Sequence, residues 1–298
     1  MAYHKKQETV LRVKESGTLM DFLLQKMGGM TRTSVKNLLA RRIVRVDGRV
    51  ETRPDTLLAS GSEVVIMPEQ GARLFSHPKL RIVYEDDYVI VVEKQVGLLT
   101  VSAHPGSSET TALSILKDYV KKSDKHNGIF VVHRLDRETS GLLVFAKSRE
   151  LQEYMRTYWR QLVTKRTYVA IIEGIMPEPE GTIRTWLSED PKTTMVYSSP
   201  VDDGGKEAVT HYKQLKANED YSLLELNLET GRTNQIRVHM ASKGHPVVSD
   251  RKYGSGKVPP IDRLGLHARV LEFIHPATEQ TVHFETPVPR DFLRVFHS

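Results

Sequence analysis

Midway along this chain a charged turn runs straight into an unbroken apolar segment, and no other feature restricts the fold as tightly. The stretch is His133-Arg134-Leu135-Asp136-Arg137-Glu138-Thr139-Ser140-Gly141, followed by Leu142-Leu143-Val144-Phe145-Ala146-Lys147. A short apolar run bounded by a Thr-Ser-Gly turn reads as a buried strand. Such a strand belongs to a core, and the turn that feeds it holds its side chains on a rigid base, where catalytic groups tend to be displayed. Asp136 lies in that turn between Arg134 and Arg137. Flanking cations favour the ionised carboxylate that a nucleophile requires. The same residues also suit an ordinary charged hairpin turn, and spacing alone does not choose between the two.

The 298 residues suffice for two domains, the larger able to bury a substantial core. No apolar run approaches the roughly 20 residues needed to cross a bilayer. Met1 to Glu8 lack the hydrophobic core of a signal peptide, so the expected location is the cytoplasm. There is no cysteine, which excludes disulfides, thiolate metal sites and iron–sulfur clusters. The histidines show no metal-binding spacing, and no metal or cofactor is expected. The net charge of +6 is unevenly placed. Residues 1–60 carry 12 Lys plus Arg against 6 Asp plus Glu, whereas residues 61–298 carry 31 of each. Such asymmetry points to a polyanionic partner.

Local signals divide the chain into an N-terminal domain over residues 1–67, a linker over 68–79 and a larger domain over 80–298. Leu19, Phe22, Leu23 and Met27 share one face of a helix over 18–27, which Gly28 and Gly29 end. A second helix starts near Thr31 and sets Arg32 and Lys36 one turn apart. Asp47-Gly48, between the alternating residues Val44 to Val50, is a strong hairpin signal. Arg41, Arg42, Arg45 and Arg49 add to the basic character of this region. These six cations make either a solvated surface or an RNA face. The linker holds two prolines, a glycine and no periodicity. In the larger domain a hairpin over 81–93 turns at Asp86-Asp87. Helices are expected over 110–122, from Ser148 to about Leu162, and from Thr233 to Ser242 with Gly244 as stop signal. Strands recur near 166–173, 181–187, 207–215, 222–229, 264–274 and 280–286. The pattern predicts an α+β fold with a mixed, largely antiparallel sheet.

The segment around Asp136 resembles the signature of the RluA-type pseudouridine synthases: His-Arg-Leu-Asp, two variable residues, then Thr-Ser-Gly. Every fixed position is present. Lys165-Arg166-Thr167-Tyr168-Val169-Ala170-Ile171-Ile172-Glu173-Gly174 is similar to the family's tyrosine-bearing strand. Gly231-Arg232-Thr233-Asn234-Gln235-Ile236-Arg237-Val238-His239 is similar to its arginine-bearing segment. Leu266-His267-Ala268, with Phe273, His275 and Pro276, resembles its C-terminal strand. Order and intervals agree over roughly residues 80–290, and several ordered motifs are far more specific than one. Residues 17–67 resemble the small RNA-binding domain first described in ribosomal small-subunit protein four. Thr31-Arg32 stands for its usual Ser-Arg and Asp47-Gly48 for its usual Asn-Gly, but Met20-Asp21 lacks its usual arginine.

The resemblance implies a central cleft across the sheet, RNA as partner and an isomerisation needing neither redox chemistry nor energy input. The N1–C1′ bond breaks, the uracil turns, and C5 joins C1′. Asp136 is the implied catalytic carboxylate. Attack at C1′, attack on the base and deprotonation at C2′ are all open to it. Tyr168 would stack on the uracil and help remove the C5 proton; alone, it reads as a core tyrosine. Arg237 would pair with the catalytic carboxylate and hold it oriented and charged; alone, it reads as a surface salt bridge. A target uridine must leave its stack, and Arg134 is placed to enter the vacated space or to act as counter-ion for Asp136. Leu264 or Leu266 would line the uracil pocket; alone, each reads as core packing. Asn234 replaces a usual histidine, and Ser249 a usual glycine. Large-subunit ribosomal RNA is the expected substrate, with transfer RNA open and a monomer expected. The alternative is a noncatalytic RNA-binding or ribosome-assembly protein on the same scaffold. A glycosidase pairing Asp136 with Glu138 is weaker, since nothing sets their separation.

Overall fold

The computed structural model describes residues 9–27, 30–40, 44–66, 75–102, 107–122 and 124–296. The chain divides into two compact units, Met1–Leu74 and Phe75–Ser298. Among the described residues no helix is long and apolar enough to cross a membrane.

In the smaller unit, strands Thr9–Arg12, Glu63–Ile66, Val44–Val46 and Arg49–Val50 lie side by side in that order, all antiparallel. Helices Leu19–Lys26 and Arg32–Ala40 complete one core built from Leu19, Phe22, Leu23, Val35, Leu39, Val44 and Val64. Both helices start where hydroxyl caps direct. Thr18 Oγ1 accepts from the Asp21 N–H at 3.2 Å, and Thr31 Oγ1 from the Ser34 N–H at 3.1 Å. Asp47 and Gly48 have φ of 48° and 80°, as a two-residue primed turn requires. Arg32, Lys36, Arg45 and Arg49 are exposed, with Arg32 lying 3.8 Å from Asp21. Gly28, Gly29, Arg41, Arg42 and most of the expected linker lie outside the described residues.

The larger unit is built on an 11-stranded sheet. Its path runs Val196–Ser199, Glu180–Glu189, Lys206–Ala217, Tyr221–Leu228, Val163–Glu173, Leu266–Ile274, Ser140–Ala146, Val89–Lys94 and Leu80–Glu85. Thr281–Glu285 pairs with Leu266–Ile274, and Phe130–Val131 with Ser140–Ala146. The apolar run after the charged turn is the strand Ser140–Ala146, buried at every position. It runs antiparallel to Val89–Lys94 and parallel to Leu266–Ile274 through Ser140 to His267 and Gly141 to Ala268. The other strand pairs among the described residues are antiparallel. Gly141 is required where it stands. Its φ is +119°, and a Cβ there would lie 2.1 Å from the Ala268 carbonyl oxygen.

Helix Ala112–Lys121 opens with a reciprocal cap between Thr111 and Ser114 and buries Leu116 and Val120 against Ile90, Val92, Leu143 and Phe145. Ser148 caps helix Arg149–Thr157, and the short helix Trp159–Leu162 follows. The helix expected from Thr233 begins instead at Gln235. Asn234 takes the left-handed region, φ 53°, and turns its side chain away from the cap. The edge strand Val196–Ser199 and the last helix, Arg290–Arg294, are additions to the expected elements.

Candidate active site

Asp136 sits in the loop that enters Ser140–Ala146, and buried groups fix the backbone on both sides of it. Thr100 Oγ1 donates to the Leu135 carbonyl at 2.8 Å and accepts from the Leu135 N–H at 3.1 Å. Lys94, fully buried at the end of its strand, donates from Nζ to the carbonyls of Leu98 at 2.8 Å and of Gln95 and Arg137 at 3.2 Å. Burial pushes the Lys94 pKa down to about 8, against the pull of Asp136 and Glu138. His133 packs its ring against Trp159 at 4.7 Å and accepts from the Val144 N–H at 3.2 Å. Burial, with the Arg166 cation nearby, pushes its pKa down to about 3, so it is a neutral structural acceptor.

Tyr168 projects from the strand Val163–Glu173, whose register against Leu266–Ile274 shifts between Thr167 and Tyr168. A bulge of this kind re-aims a side chain. The ring packs against two core clusters and lines a cleft of about 190 Å³ shared with Asp136, Arg134, Thr139, Leu266 and Arg237. Burial raises the Tyr168 pKa, Arg166 opposing and Asp136 adding. The hydroxyl is therefore protonated at neutral pH. Of the two candidate pocket leucines, Leu266 lines the cleft. Leu264 belongs to the core among Ile172, Ile183 and Met240.

Arg237, on helix Gln235–Ser242, closes the other side. Its fork is taken by Asp250: Nε donates to Oδ2 and Nη2 to Oδ1, both at 2.7 Å. Nη1 donates to Asn234 Oδ1 at 3.1 Å and reaches Asp136 Oδ2 only at 3.5 Å. The arginine carbon lies 5.2 Å from the Tyr253 ring centroid. Asp250 is wholly buried and also accepts from the N–H groups of Lys252 at 2.9 Å and Tyr253 at 3.0 Å. Burial would raise the Asp250 carboxyl pKa, but the bonds and charge of Arg237 outweigh it and hold the carboxyl low. Burial likewise opposes the Arg237 cation, and Asp250 raises its pKa in return. The bidentate partner of Arg237 is thus Asp250, which sequence reasoning missed; Asp136 receives a single long contact. An Asp followed by three residues ending in Tyr253 is the available signal, because Asp side chains often bind backbone N–H groups two or three residues on.

The cations flanking Asp136 diverge. Arg134 is exposed and lines the cleft, whereas Arg137 turns to Glu109 at 2.6 Å. Asn234 fills its non-histidine role through Arg237 and by donating to the Tyr253 hydroxyl at 3.2 Å. Ser249 holds φ 59°, a conformation that favours glycine, and donates to the Ile261 carbonyl at 2.6 Å. Among the described residues no cluster of His, Asp or Glu suits a metal ion.

Residues 88–242, which carry Asp136, Tyr168 and Arg237, match the family model described as RNA pseudouridylate synthase. Sheet, cleft and match together define an isomerase that acts on RNA. The chain belongs to the RNA pseudouridylate synthase family. It is 34% identical over 296 residues to the RNA pseudouridine synthase YlyB of Bacillus subtilis (strain 168), covering 97% of this chain and 96% of that protein. It is 36% identical over 266 residues to the ribosomal large subunit pseudouridine synthase D of Pseudomonas aeruginosa, covering 83% of this chain and 81% of that one. The solved structure of human RNA pseudouridylate synthase domain containing 4 shares the fold, with a TM-score of 0.59 at 22% identity over 73% of this chain and 92% of that chain.

Proposed function

We propose that this chain converts uridine to pseudouridine in large-subunit ribosomal RNA, with Asp136 as the reacting carboxylate. The observation that carries the reading is the meeting of Asp136, Tyr168 and Arg237, from three separated segments, around one cleft. Relatives named for large-subunit ribosomal RNA support the substrate. Asp136 retains partial exposure, 31% of its side chain, toward the space a flipped base would occupy. Tyr168 stacks on the uracil, and its hydroxyl, protonated at rest, donates a hydrogen bond and relays the C5 proton, accepting it at oxygen as its own proton passes to solvent. Arg237, locked by Asp250, holds the negative charge of Asp136 from one side. Arg134 fills the gap that the departing base leaves in the RNA stack.

The N-terminal unit supplies affinity through Arg32, Lys36, Arg45 and Arg49, with Arg41 and Arg42 nearby in sequence, as the likeness to the small ribosomal RNA-binding domain implies. The test compares the parental protein with Asp136→Asn, which keeps the shape and removes the charge. Tritium release from RNA labelled at uridine C5 should fall to background in the variant. Release near the parental rate would refute the assignment. Mapping pseudouridines in cellular RNA with and without the protein identifies the target, and loss confined to transfer RNA would overturn the ribosomal reading.

A further inference from the structure

Charge is balanced over residues 61–298 as a whole, yet it is not balanced locally. The segment from Tyr154 to Arg166 carries Arg156, Arg160, Lys165 and Arg166 and no carboxylate. Glu150 and Glu153 lie earlier on the same helix. Met155 and Leu162 face the core, which turns Arg156 and Arg160 outward, and both are exposed. Among the described residues neither forms an ion pair, unlike Arg81, Arg137, Arg184 and Arg269, each of which meets a glutamate. Tyr154 and Tyr158 stand one turn apart on the same stretch, 44% and 47% exposed, with ring centroids 5.0 Å apart. Two large aromatic faces open to water, interleaved with unpaired arginines, are poorly explained by folding. Together they suit a polyanion whose units are also planar rings.

The segment is continuous with the cleft. Arg166 is two residues before Tyr168 on one strand. Its Nη1 lies 2.6 Å from where a Cβ on Gly231 would be, and Gly231 lines the cleft beside Arg232. Arg166 is also close enough to feel both Tyr168 and Arg160 electrostatically. A path of positive charge therefore leads from the wall of the cleft to the aromatic surface.

We propose that Tyr154, Arg156, Tyr158 and Arg160 form a second contact for substrate, taking a single-stranded flank of the RNA as it leaves the cleft past Arg166. The arginines meet phosphates and the tyrosines stack on bases, so the contact adds affinity without reading sequence. The proposal rests on the isomerase reading for its choice of RNA, and the test separates the two. Full-length protein is measured with a fluorescein-labelled unstructured RNA extended by about ten nucleotides beyond the target uridine, and with a minimal RNA lacking the extension. Arg156→Ala with Arg160→Ala should lower the slope of log Kd against log salt by about 1.4 on the extended RNA, from about 0.7 per phosphate contact. Tyr154→Ala with Tyr158→Ala should weaken the extended RNA at least about fivefold, leave the salt slope alone, and be rescued by Phe at both positions. Both pairs should bind the minimal RNA like the parent. Equal Kd and equal slope on the extended RNA would overturn the proposal, as would weakening that is the same on both RNAs. An inactive parental protein would sink the isomerase reading instead, and the Kd series would still decide the surface.

Discussion

Replacing Asp250 with alanine should damage the fold more than replacing Asp136, although only Asp136 is the proposed reacting group. Arg237 gives Asp250 two bonds of 2.7 Å and Asp136 one of 3.5 Å. The Asp250 side chain is 0% exposed and that of Arg237 11%. Breaking a buried pair by removing one partner costs about 3–5 kcal/mol, because the other charge stays buried. Asp136 remains within reach of the orphaned arginine, which favours the lower end, about 3 kcal/mol. Two backbone N–H groups, of Lys252 and Tyr253, lose their acceptor as well. The unit Phe75–Ser298 is 224 residues long. For a domain of that size each kcal/mol shifts Tm by about 2–4 °C, so the drop should be about 6–12 °C. Asp136→Asn should move Tm by less than about 2 °C, because its contact is long and partly exposed. Scanning calorimetry on the full-length protein reads both. A drop under about 2 °C for Asp250→Ala would refute the idea that Asp250, rather than Asp136, anchors the arginine.

The same pair predicts a pH dependence. Asp250 has a folded pKa below its unfolded value, near 3.9. Its contribution is therefore fully present above about pH 4 and lost as pH falls through the folded value. The stability gap between the parent and Asp250→Asn should be constant from about pH 8 to pH 5 and narrow below about pH 4. A gap that widens on acidification would show the sign to be wrong.

Tyr168→Phe should keep RNA binding and lower single-turnover rate by roughly 10²–10⁴ if the hydroxyl handles the C5 proton; because the Tyr168 pKa is raised, the parental rate should show no step from its ionisation below about pH 10. Gly141→Ala should destabilise by at least about 2 kcal/mol in denaturant unfolding, since the new Cβ meets the Ala268 carbonyl in a backbone conformation that only glycine adopts freely. Alanine at Arg32, Lys36, Arg45 and Arg49 together should flatten the salt dependence of RNA binding by up to about 2.8 in log–log slope while sparing turnover at saturating RNA; an unchanged slope would remove the affinity role.

What was legible in the sequence is what local physics decides. Ser140–Ala146 declared itself because an apolar run with turn residues before it has few other options. The caps at Thr31 and Ser148 worked for the same reason, and Asp47-Gly48 turned as its dihedral preferences require. The helix at Gln235 began late because Asn234 answers to Arg237 and Tyr253 instead of its own N-terminus. Lys94 was invisible because a lysine ending a strand ordinarily reaches water; only the fold turns three carbonyls toward it. Asp250 lay in a loop, and its importance depends on an arginine one helix earlier.

That hidden aspartate also bears on how the site works under the proposed mechanism. An arginine that forked on Asp136 would bind the ground-state carboxylate strongly and occupy both its oxygens, which opposes its use as a nucleophile. Here a second carboxylate, buried and unreactive, takes the fork and fixes the guanidinium plane. One Nη1 is left over, aimed at Asp136 from 3.5 Å and shared with Asn234. The charge of Arg237 is thus held near Asp136 without saturating its lone pairs. A preorganised cation of this kind stabilises negative charge at little reorganisation during reaction. The catalytic burden on Asp250 is therefore indirect: it keeps Arg237 in place, and Arg237 sets a positive charge beside Asp136 while leaving its oxygens available.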